Sequence, residues 1–182
     1  MTPISSRKYS LIYADPPWLY AEGQSNRPKT YSRMDDRSIR ELPVPSIVAP
    51  SAALFLWTTN THIPTALRVM GAWGFEYTTV AFVWSKVTSA GDPRIGMGHY
   101  SRQSVELCLL GMRGRLERKS KSVRQLVESV PTEHSEKPQI VRDRILELFG
   151  DLPRIELFAC HTVPGWDSWG PRNHRGSELR CN

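Results

Sequence analysis

No apolar run in this sequence is long enough to cross a lipid bilayer, which takes roughly 20 consecutive apolar residues in a helix. The longest apolar stretches have the length of a β-strand. The opening residues, MTPISSRKYS, lack the apolar centre of a secretory signal peptide. We therefore expect a protein of the cytoplasm that makes no contact with a membrane.

Cysteine is also scarce, with Cys108, Cys160 and Cys181 as the three examples in 182 residues. They form no CxxC pair and show no zinc-like spacing with the five histidines. Cys108 lies inside the apolar run VELCLL, where a cysteine is usually a small buried side chain. The sequence therefore predicts neither a disulfide nor a metal site.

Acidic residues are outnumbered by basic ones, 18 to 24, which gives a formal net charge of +6. Much of the excess lies in two clusters, one in residues 27–40 and a second basic cluster in residues 113–124. Clustered cations attract phosphates whatever the base sequence, although an ordinary solvated surface is the alternative. The candidates for nucleic-acid contact are Tyr20, Arg27, Lys29, Arg33, Arg113, Arg115, Arg118, Lys119 and Lys121.

Strand-like apolar runs recur along the chain, at residues 9–14, 52–57, 78–84, 104–111 and 154–159. Several are nearly continuous in apolar residues, which is typical of strands that are buried on both faces. Helical patterns lie between them. This alternation predicts an α/β fold, with a mostly parallel sheet and helices on both of its faces.

Two segments have the apolar spacing of a helix. In residues 61–73 one face is predicted to carry Ile63, Leu67 and Met70. In residues 135–150, Ser135 suits the N-cap, Pro138 suits the first turn and Gly150 ends the helix. The apolar stripe of this second helix consists of Val141, Ile145, Leu148 and Phe149.

Length and composition indicate one domain over residues 1–182, with a single core. We expect its ordered part to run from about residue 7 to residue 173, followed by a mobile tail over residues 174–182. Two long segments, residues 19–36 and 86–102, fit neither strand nor helix. Long loops in compact domains are more often functional than incidental.

The first strand-like run ends in a rigid corner, Asp15-Pro16-Pro17-Trp18. Ligands in an open α/β sheet bind beyond the carboxyl ends of the strands, which is where this corner lies. The amino group of a base is a poor nucleophile, because its lone pair is delocalised into the ring. Asp15 can accept one of its N–H groups, the Pro16 carbonyl can accept the other, and Trp18 offers a face for stacking. The alternative is a proline turn with a tryptophan in the core.

This corner resembles the DPPW motif of amino-methyltransferases that use S-adenosylmethionine. Three further motifs follow it: HSEKP at residues 134–138, IELFA at 155–159 and GWDSWG at 165–170. In this order they resemble the family named for the seventy-kilodalton subunit of the messenger-RNA adenosine methyltransferase, in its short phage and bacterial form. The resemblance runs from about Tyr9 to Asn173. It implies a Rossmann-like, S-adenosylmethionine-dependent methyltransferase fold that acts on the amino group of adenine.

The resemblance also implies roles for individual residues. The catalytic corner that holds the target base consists of Asp15, Pro16, Pro17 and Trp18. The residues around the cofactor are Asp15, Lys137, Glu156, Phe158 and Asn173. Lys137 is expected at the carboxylate end of the cofactor, and Glu156 and Asn173 are expected at the ribose. An acid inside a buried strand needs a polar partner, and a ribose hydroxyl suits Glu156.

The substrate implied by the resemblance is adenine in DNA, methylated with short or loose sequence specificity in a bacterial or phage-infected cytoplasm. Adenine inside a duplex hides its amino group, so the target must be flipped out or single-stranded. One alternative is methylation of adenosine in RNA. Another is an inactive nucleic-acid-binding scaffold, which the intact Asp15 and Trp18 argue against. Whether two copies form a homodimer is left open.

Overall fold

The structure, a computed structural model, describes residues 5–19, 33–98, 100–132 and 136–170. The described α-helices are α1 (Asp36–Arg40), α2 (Ile63–Ala72) and α3 (Gln139–Phe149), and short 3-10 turns lie at Val44–Ile47 and Asn60–His62. The strands are β1 (Tyr9–Ala14), β2 (Val48–Thr58), β3 (Glu76–Lys86), β4 (Val105–Arg113), β5 (Leu126–Ser129), β6 (Arg154–Leu157) and β7 (Asp167–Trp169). No described helix is both long enough and apolar enough to cross a membrane.

The seven described strands form one sheet in the order β5-β3-β4-β2-β1-β6-β7. β4 is antiparallel to both of its neighbours, β2 and β3, and every other pairing is parallel. Six of these strands therefore point the same way. β4 is reversed because the chain returns from β3 directly into the neighbouring position, and strands joined in this way run antiparallel. The prediction of a mostly parallel sheet is confirmed.

Successive side chains of each strand point to opposite faces of the sheet, and each face has its own core. On one face, Ile12 of β1 packs in a core with Ile39 of α1 and Met70 of α2. On the other face, Tyr13 packs in a second core with Ile145 of α3. Burial of a large apolar side chain contributes about 1.5–3 kcal/mol. The predicted helices on both faces of the sheet are therefore confirmed.

The helix predicted in residues 61–73 exists as α2, but its predicted apolar face is wrong in one position. Leu67 is 39% exposed, whereas Ala66, Val69 and Met70 are buried. The buried stripe continues at helical spacing into Trp73, which is completely buried just beyond α2. Turning this stripe toward the sheet buries the large indole of Trp73, and the same rotation leaves Leu67 in solvent.

The helix predicted in residues 135–150 begins later than expected. α3 starts at Gln139 and its N-cap is Pro138, so the assignment of Ser135 as the N-cap is wrong. The residue before a proline is disfavoured in helical conformation, which keeps Lys137 outside the helix. The end of the helix is as predicted, because Gly150 is the C-cap with a φ of 83°. The predicted stripe faces the second core, with Leu148 only partly buried.

Each predicted strand-like run contains a strand, and the last one is shorter than expected. β6 ends at Leu157 because Phe158 has a φ of 64°, a left-handed conformation that cannot continue a strand. The sheet order also indicates where a ligand would bind. From β1 the chain continues to β2 on one side, and from β6 it continues to β7 on the other. The crevice between two such strands, at their carboxyl ends, is the usual ligand site of an open α/β sheet.

Candidate active site

Asp15 is the first residue after β1, at the edge of the sheet where β1 and β6 end; we call this edge the carboxyl edge. The Trp18 amide donates to the Pro16 carbonyl at 2.9 Å, and the Met34 amide donates to the Pro17 carbonyl at 2.9 Å. These hydrogen bonds tighten the corner and join it to the chain at Met34. The Asp15 side chain is 30% exposed, so the corner presents this carboxylate to solvent.

Four side chains of alternating charge contact one another in succession, and we call them the charge chain. Its members, in order, are Asp15, Lys137, Glu106 and Lys86. Lys137 Nζ lies 2.6 Å from Asp15 Oδ2 and 3.2 Å from Glu106 Oε2. The other oxygen of Glu106 accepts a hydrogen bond from Lys86. Lys137 and Glu106 are only 8% and 13% exposed, so Asp15 is the end of the chain most open to a ligand. Asp15 Oδ1 has no hydrogen-bond donor in the described part of the protein.

The charged groups of the charge chain change one another's pKa values. Burial raises the pKa of Asp15 above its ordinary value; Lys137 opposes the rise, and Glu106 adds to it. Burial alone would raise the pKa of Glu106, but Lys137 and Lys86 lower it to about 2. Burial would lower the pKa of Lys137, but Asp15 and Glu106 raise it above its ordinary value. Lys137 and Glu106 are therefore charged at neutral pH, and Asp15 is the carboxylate that binds a proton more readily.

The Trp18 side chain lies buried beneath the corner, 6% exposed. Its Nε1 donates to the Trp57 carbonyl at 3.1 Å, and its ring stacks on His62 with the ring centres 5.9 Å apart. His62 Nε2 lies 3.1 Å from the Leu19 carbonyl oxygen. One face of the indole is thus covered by protein, and the ring anchors the corner on β2. The stacking of a target base on Trp18 stays a prediction.

Glu156 in β6 is paired with Arg142 of α3. Arg142 donates from Nε and Nη2 to the two Glu156 oxygens at 2.8 and 2.9 Å. The guanidinium also lies 5.4 Å from the centre of the Tyr13 ring. Both members of the pair are buried, and they fasten α3 to the sheet. The predicted contact of Glu156 with a ribose hydroxyl stays a prediction, since a carboxylate oxygen can accept a second hydrogen bond.

Phe158 opens the turn after β6 and packs edge to face on Trp169, with the ring centres 5.6 Å apart. A left-handed φ is uncommon for a bulky residue and is sustained only by close packing around it. Gly170 provides such packing, because a Cβ there would come within 2.5 Å of the Ala159 carbonyl oxygen. The residues at the end of β6 are therefore closely packed.

The segment before α3 is joined to the turn after β6. His161 Nε2 lies 3.0 Å from Glu136 Oε1. The resembled family usually has a basic residue after the IELFA motif, where this chain has Cys160-His161. His161, two residues after the IELFA motif, thus contacts Glu136 of the HSEKP motif.

The predicted nucleic-acid residues that the structure describes do not form one surface. Arg33 precedes Met34, which bridges to Trp18, so Arg33 lies beside the corner. The second basic cluster begins at Arg113, where the reversed β4 ends, at the edge of the sheet opposite Asp15. Arg113 lies seven positions after Glu106 in β4, which is about 24 Å at about 3.4 Å per residue. Contact of this cluster with phosphates stays a prediction, and it concerns nucleic acid far from the corner.

Four predicted site residues lie outside the described residues, namely Tyr20, Arg27, Lys29 and Asn173. Three residues of the site were not predicted: Lys86, Glu106 and Arg142. Glu106 had a signal, because an acid inside the apolar run VELCLL needs a partner once it is buried. Lys86 and Arg142 had no such signal in the sequence, because cations at a strand end or on a helix are mostly solvated.

Comparison with known proteins shows similarity to methyltransferases of one family. The family model described as MT-A70 matches residues 9–172. The chain is 36% identical over 186 residues to the Type II methyltransferase M.MunI of Mycoplasma sp, covering 90% of this chain and 77% of that protein. It is 32% identical over 177 residues to the N6-methyladenosine RNA methyltransferase MTA1 of Cryphonectria parasitica, covering 89% and 51%. It is 29% identical over 182 residues to the N(6)-adenine-specific methyltransferase METTL4 of Homo sapiens, covering 90% and 37%.

Proposed function

The chain belongs to the MT-A70 family, and on this basis we propose that it transfers a methyl group from S-adenosylmethionine to the N6 amino group of adenine in DNA. The observation that carries the proposal is the contact between Asp15 and Lys137 at the carboxyl edge. It combines a partly exposed acceptor for an amino group with a cation that suits the carboxylate of the cofactor.

The donor set at the carboxyl edge fits S-adenosylmethionine. The amino-acid end of this cofactor carries a carboxylate, which matches the charge of Lys137. Glu156 and Phe158 close the neighbouring strand and suit the walls of the cleft. Asn173 is proposed for the ribose hydroxyls. When bound, the cofactor supplies a methyl group already activated on a sulfonium, so the protein's task is to align and desolvate.

In the proposed mechanism the corner orients the adenine amino group. Asp15 Oδ1 accepts one N–H, and the second lone pair of the Pro16 carbonyl accepts the other. This draws the nitrogen lone pair out of the ring and aims it at the methyl carbon. A carboxylate with an ordinary pKa of about 3.9 cannot deprotonate a neutral amine. Asp15 would therefore take the proton only as the N–C bond forms, the S–C bond of the sulfonium breaks and the positive charge passes from sulfur to nitrogen.

DNA is proposed rather than RNA because of the names of the relatives and the share of each relative's length that this chain matches. The relative named a Type II methyltransferase is matched at higher identity, over 77% of its length. The relative named an RNA methyltransferase is matched over 51% of its length. RNA adenosine is the second candidate substrate, and this RNA methyltransferase is the observation that favours it. An inactive scaffold is the third, and the partly exposed Asp15 carboxylate argues against it.

The test is transfer of labelled methyl groups to matched DNA and RNA oligonucleotides that differ only in the sugar and in thymine or uracil. Oligonucleotides in which every adenine is replaced serve as controls. The proposal expects label in adenine of the DNA, and weaker or no labelling of the RNA. Label in cytosine or in no base would overturn methylation of adenine. Preferential labelling of the RNA would favour RNA adenosine, the second candidate, as the substrate.

A further inference from the structure

Between β3 and β4 the described residues 87–98 and 100–104 contain two successive antiparallel pairings, Val87 with Pro93 and Gly96 with Gln103, and we call them together the arm. Gly96 and Gln103 exchange two backbone hydrogen bonds of 2.6 and 3.3 Å. At the base of the arm the Lys86 amide donates to the Ser104 carbonyl at 2.9 Å. Gly98 turns the tip with a φ of 65°, and a Cβ there would come within 1.8 Å of the Ser101 carbonyl oxygen. The arm therefore has a defined backbone shape.

Apolar side chains of the arm remain in solvent. Met97 is 80% exposed and Ile95 is 56% exposed, although both are large and apolar. Tyr100 at the tip is fully exposed. Arg102 is exposed next to the Gly96–Gln103 pair, and Arg94 is exposed at the base, where its amide donates to the Lys86 carbonyl at 2.8 Å. Cations that follow a phosphate backbone, next to side chains on which bases can stack, are typical of surfaces that bind single-stranded nucleic acid.

Charge favours nucleic acid over a second copy of this chain as the occupant of the arm. Asp92 is the single acidic residue in residues 87–104, against the two cations Arg94 and Arg102. A second copy would itself carry a net charge of +6 and would be repelled over the long range. Phosphates are attracted by the same cations.

The arm leaves the sheet at the carboxyl edge, where Asp15 lies. Its base is Lys86, the last residue of β3, and Lys86 is paired with Glu106 at the start of β4. Glu106 contacts Lys137, which in turn contacts Asp15. The charge chain thus connects the base of the arm to the corner. A strand whose adenine reaches Asp15 has neighbouring nucleotides at this same edge.

We propose that the arm binds the nucleic-acid strand beside the target adenine, with Arg94 and Arg102 on phosphates and Met97 and Tyr100 against base faces. This inference rests on the proposed function, because it requires a polynucleotide substrate. Such contacts supply affinity and position without reading base edges, so they act on many sequences alike.

The test compares the full-length wild type with the arm variant R94A/R102A and with R118A/K119A/K121A in the second basic cluster. Each protein is titrated, over a range of salt concentrations, with two labelled single-stranded oligonucleotides that carry one central adenine. One is a heptanucleotide, and the other has about 25 nucleotides and can extend beyond the carboxyl edge. Binding of S-adenosylmethionine and the thermal unfolding midpoint are measured for each variant as controls of the cofactor site and of folding.

The arm variant is expected to bind both oligonucleotides about tenfold or more weakly than the wild type. Its salt slope should fall by about 0.7 for each phosphate of the single strand that the arm no longer neutralises. The cluster variant should bind the heptanucleotide like the wild type, because its residues lie at the opposite edge of the sheet. Met97→Ser and Tyr100→Ala should weaken binding without changing the salt slope, since stacking releases no counterions.

Unchanged affinity and salt slope in the arm variant, in a wild type that binds and methylates the oligonucleotides, would overturn the role of the arm alone. A wild type that binds neither oligonucleotide would overturn both this role and the proposed function. If the arm variants instead convert a dimer to a monomer in sedimentation and bind nucleic acid normally, the arm is an interface between copies and the inference is wrong.

Discussion

Lys137 holds Asp15 through an ion pair of 2.6 Å, although the two residues lie 122 positions apart in the chain. The contact joins the DPPW corner to the segment before α3. It occupies Asp15 Oδ2, while Asp15 Oδ1 has no hydrogen-bond donor among the residues that the structure describes. In the proposed mechanism the two oxygens of Asp15 have different tasks, because Lys137 holds one and the target amine donates to the other.

Replacement of Asp15 by asparagine should reduce the rate of methyl transfer by about 10²–10⁴-fold, because an amide cannot take the proton released by the methylated nitrogen. The decrease in cofactor affinity should be much smaller than the decrease in rate. Single-turnover transfer and calorimetry with S-adenosylmethionine measure the two quantities. A cofactor affinity that falls as far as the rate would assign Asp15 to the cofactor rather than to the target amine.

Replacement of Lys137 by methionine should show the reverse pattern. It keeps the aliphatic length of the side chain but removes the cation proposed for the cofactor carboxylate. The dissociation constant of S-adenosylmethionine should rise by about tenfold to hundredfold, the usual value of a charge-assisted hydrogen bond. Lys119→Met, at an exposed position in the second basic cluster, is the matched control and should leave the constant unchanged. If Lys137→Met binds S-adenosylmethionine as tightly as the wild type does, Lys137 does not bind the cofactor and only positions Asp15.

Glu106→Gln should lower the free energy of unfolding by roughly 3 kcal/mol at neutral pH, because it breaks a buried ion pair on one side. The pKa of Glu106 is lowered from 4.5 to about 2, so its stabilising effect is complete above pH 4.5 and is lost as the pH falls toward 2. Urea unfolding between pH 7 and pH 3 should show the difference from wild type shrinking with acid. Glu76→Gln, at an exposed position, is the control. A difference that is independent of pH would contradict the assignment.

Arg142→Met should destabilise the protein by about 3–5 kcal/mol, because it leaves the Glu156 carboxylate buried without a partner. The double variant Arg142→Met/Glu156→Gln should recover part of this stability, since the orphaned charge is then gone. Denaturant unfolding of the two single variants and the double variant provides the coupling energy. Additive effects would show that the two side chains stabilise the fold independently.

Gly170→Ala should destabilise the protein by about 1–3 kcal/mol, because the added methyl group meets the backbone of Ala159 rather than a movable side chain. Gly71→Ala in α2 is the matched control, with nothing within 4 Å of the added Cβ. It should stabilise the helix by about 0.5–1 kcal/mol. Thermal unfolding measures both. Equal changes in thermal stability for the two substitutions would show that the end of β6 is not closely packed against Gly170.

Features that depend on near neighbours in the chain were readable from the sequence. The strand before the corner, the stop at Pro16-Pro17 and the end of α3 at Gly150 follow from apolar runs and from the backbone limits of proline and glycine. The order of the four motifs was likewise sufficient to identify the family. The start of α3 was missed because Lys137 is kept out of the helix by the proline that follows it.

The partners of the buried charges were decided by the tertiary structure. Glu156 was recognised as an acid in need of a partner, but that partner, Arg142, was not identified. Lys137 was recognised as a site residue, while Glu106 beside it was taken as part of an apolar strand. The face of α2 that packs on the sheet could not be predicted from the sequence either. The same holds for the distance between the second basic cluster and Asp15. Each of these depends on which distant segments the sheet order brings together, and a reversed β4 moves Glu106 to the site and Arg113 away from it.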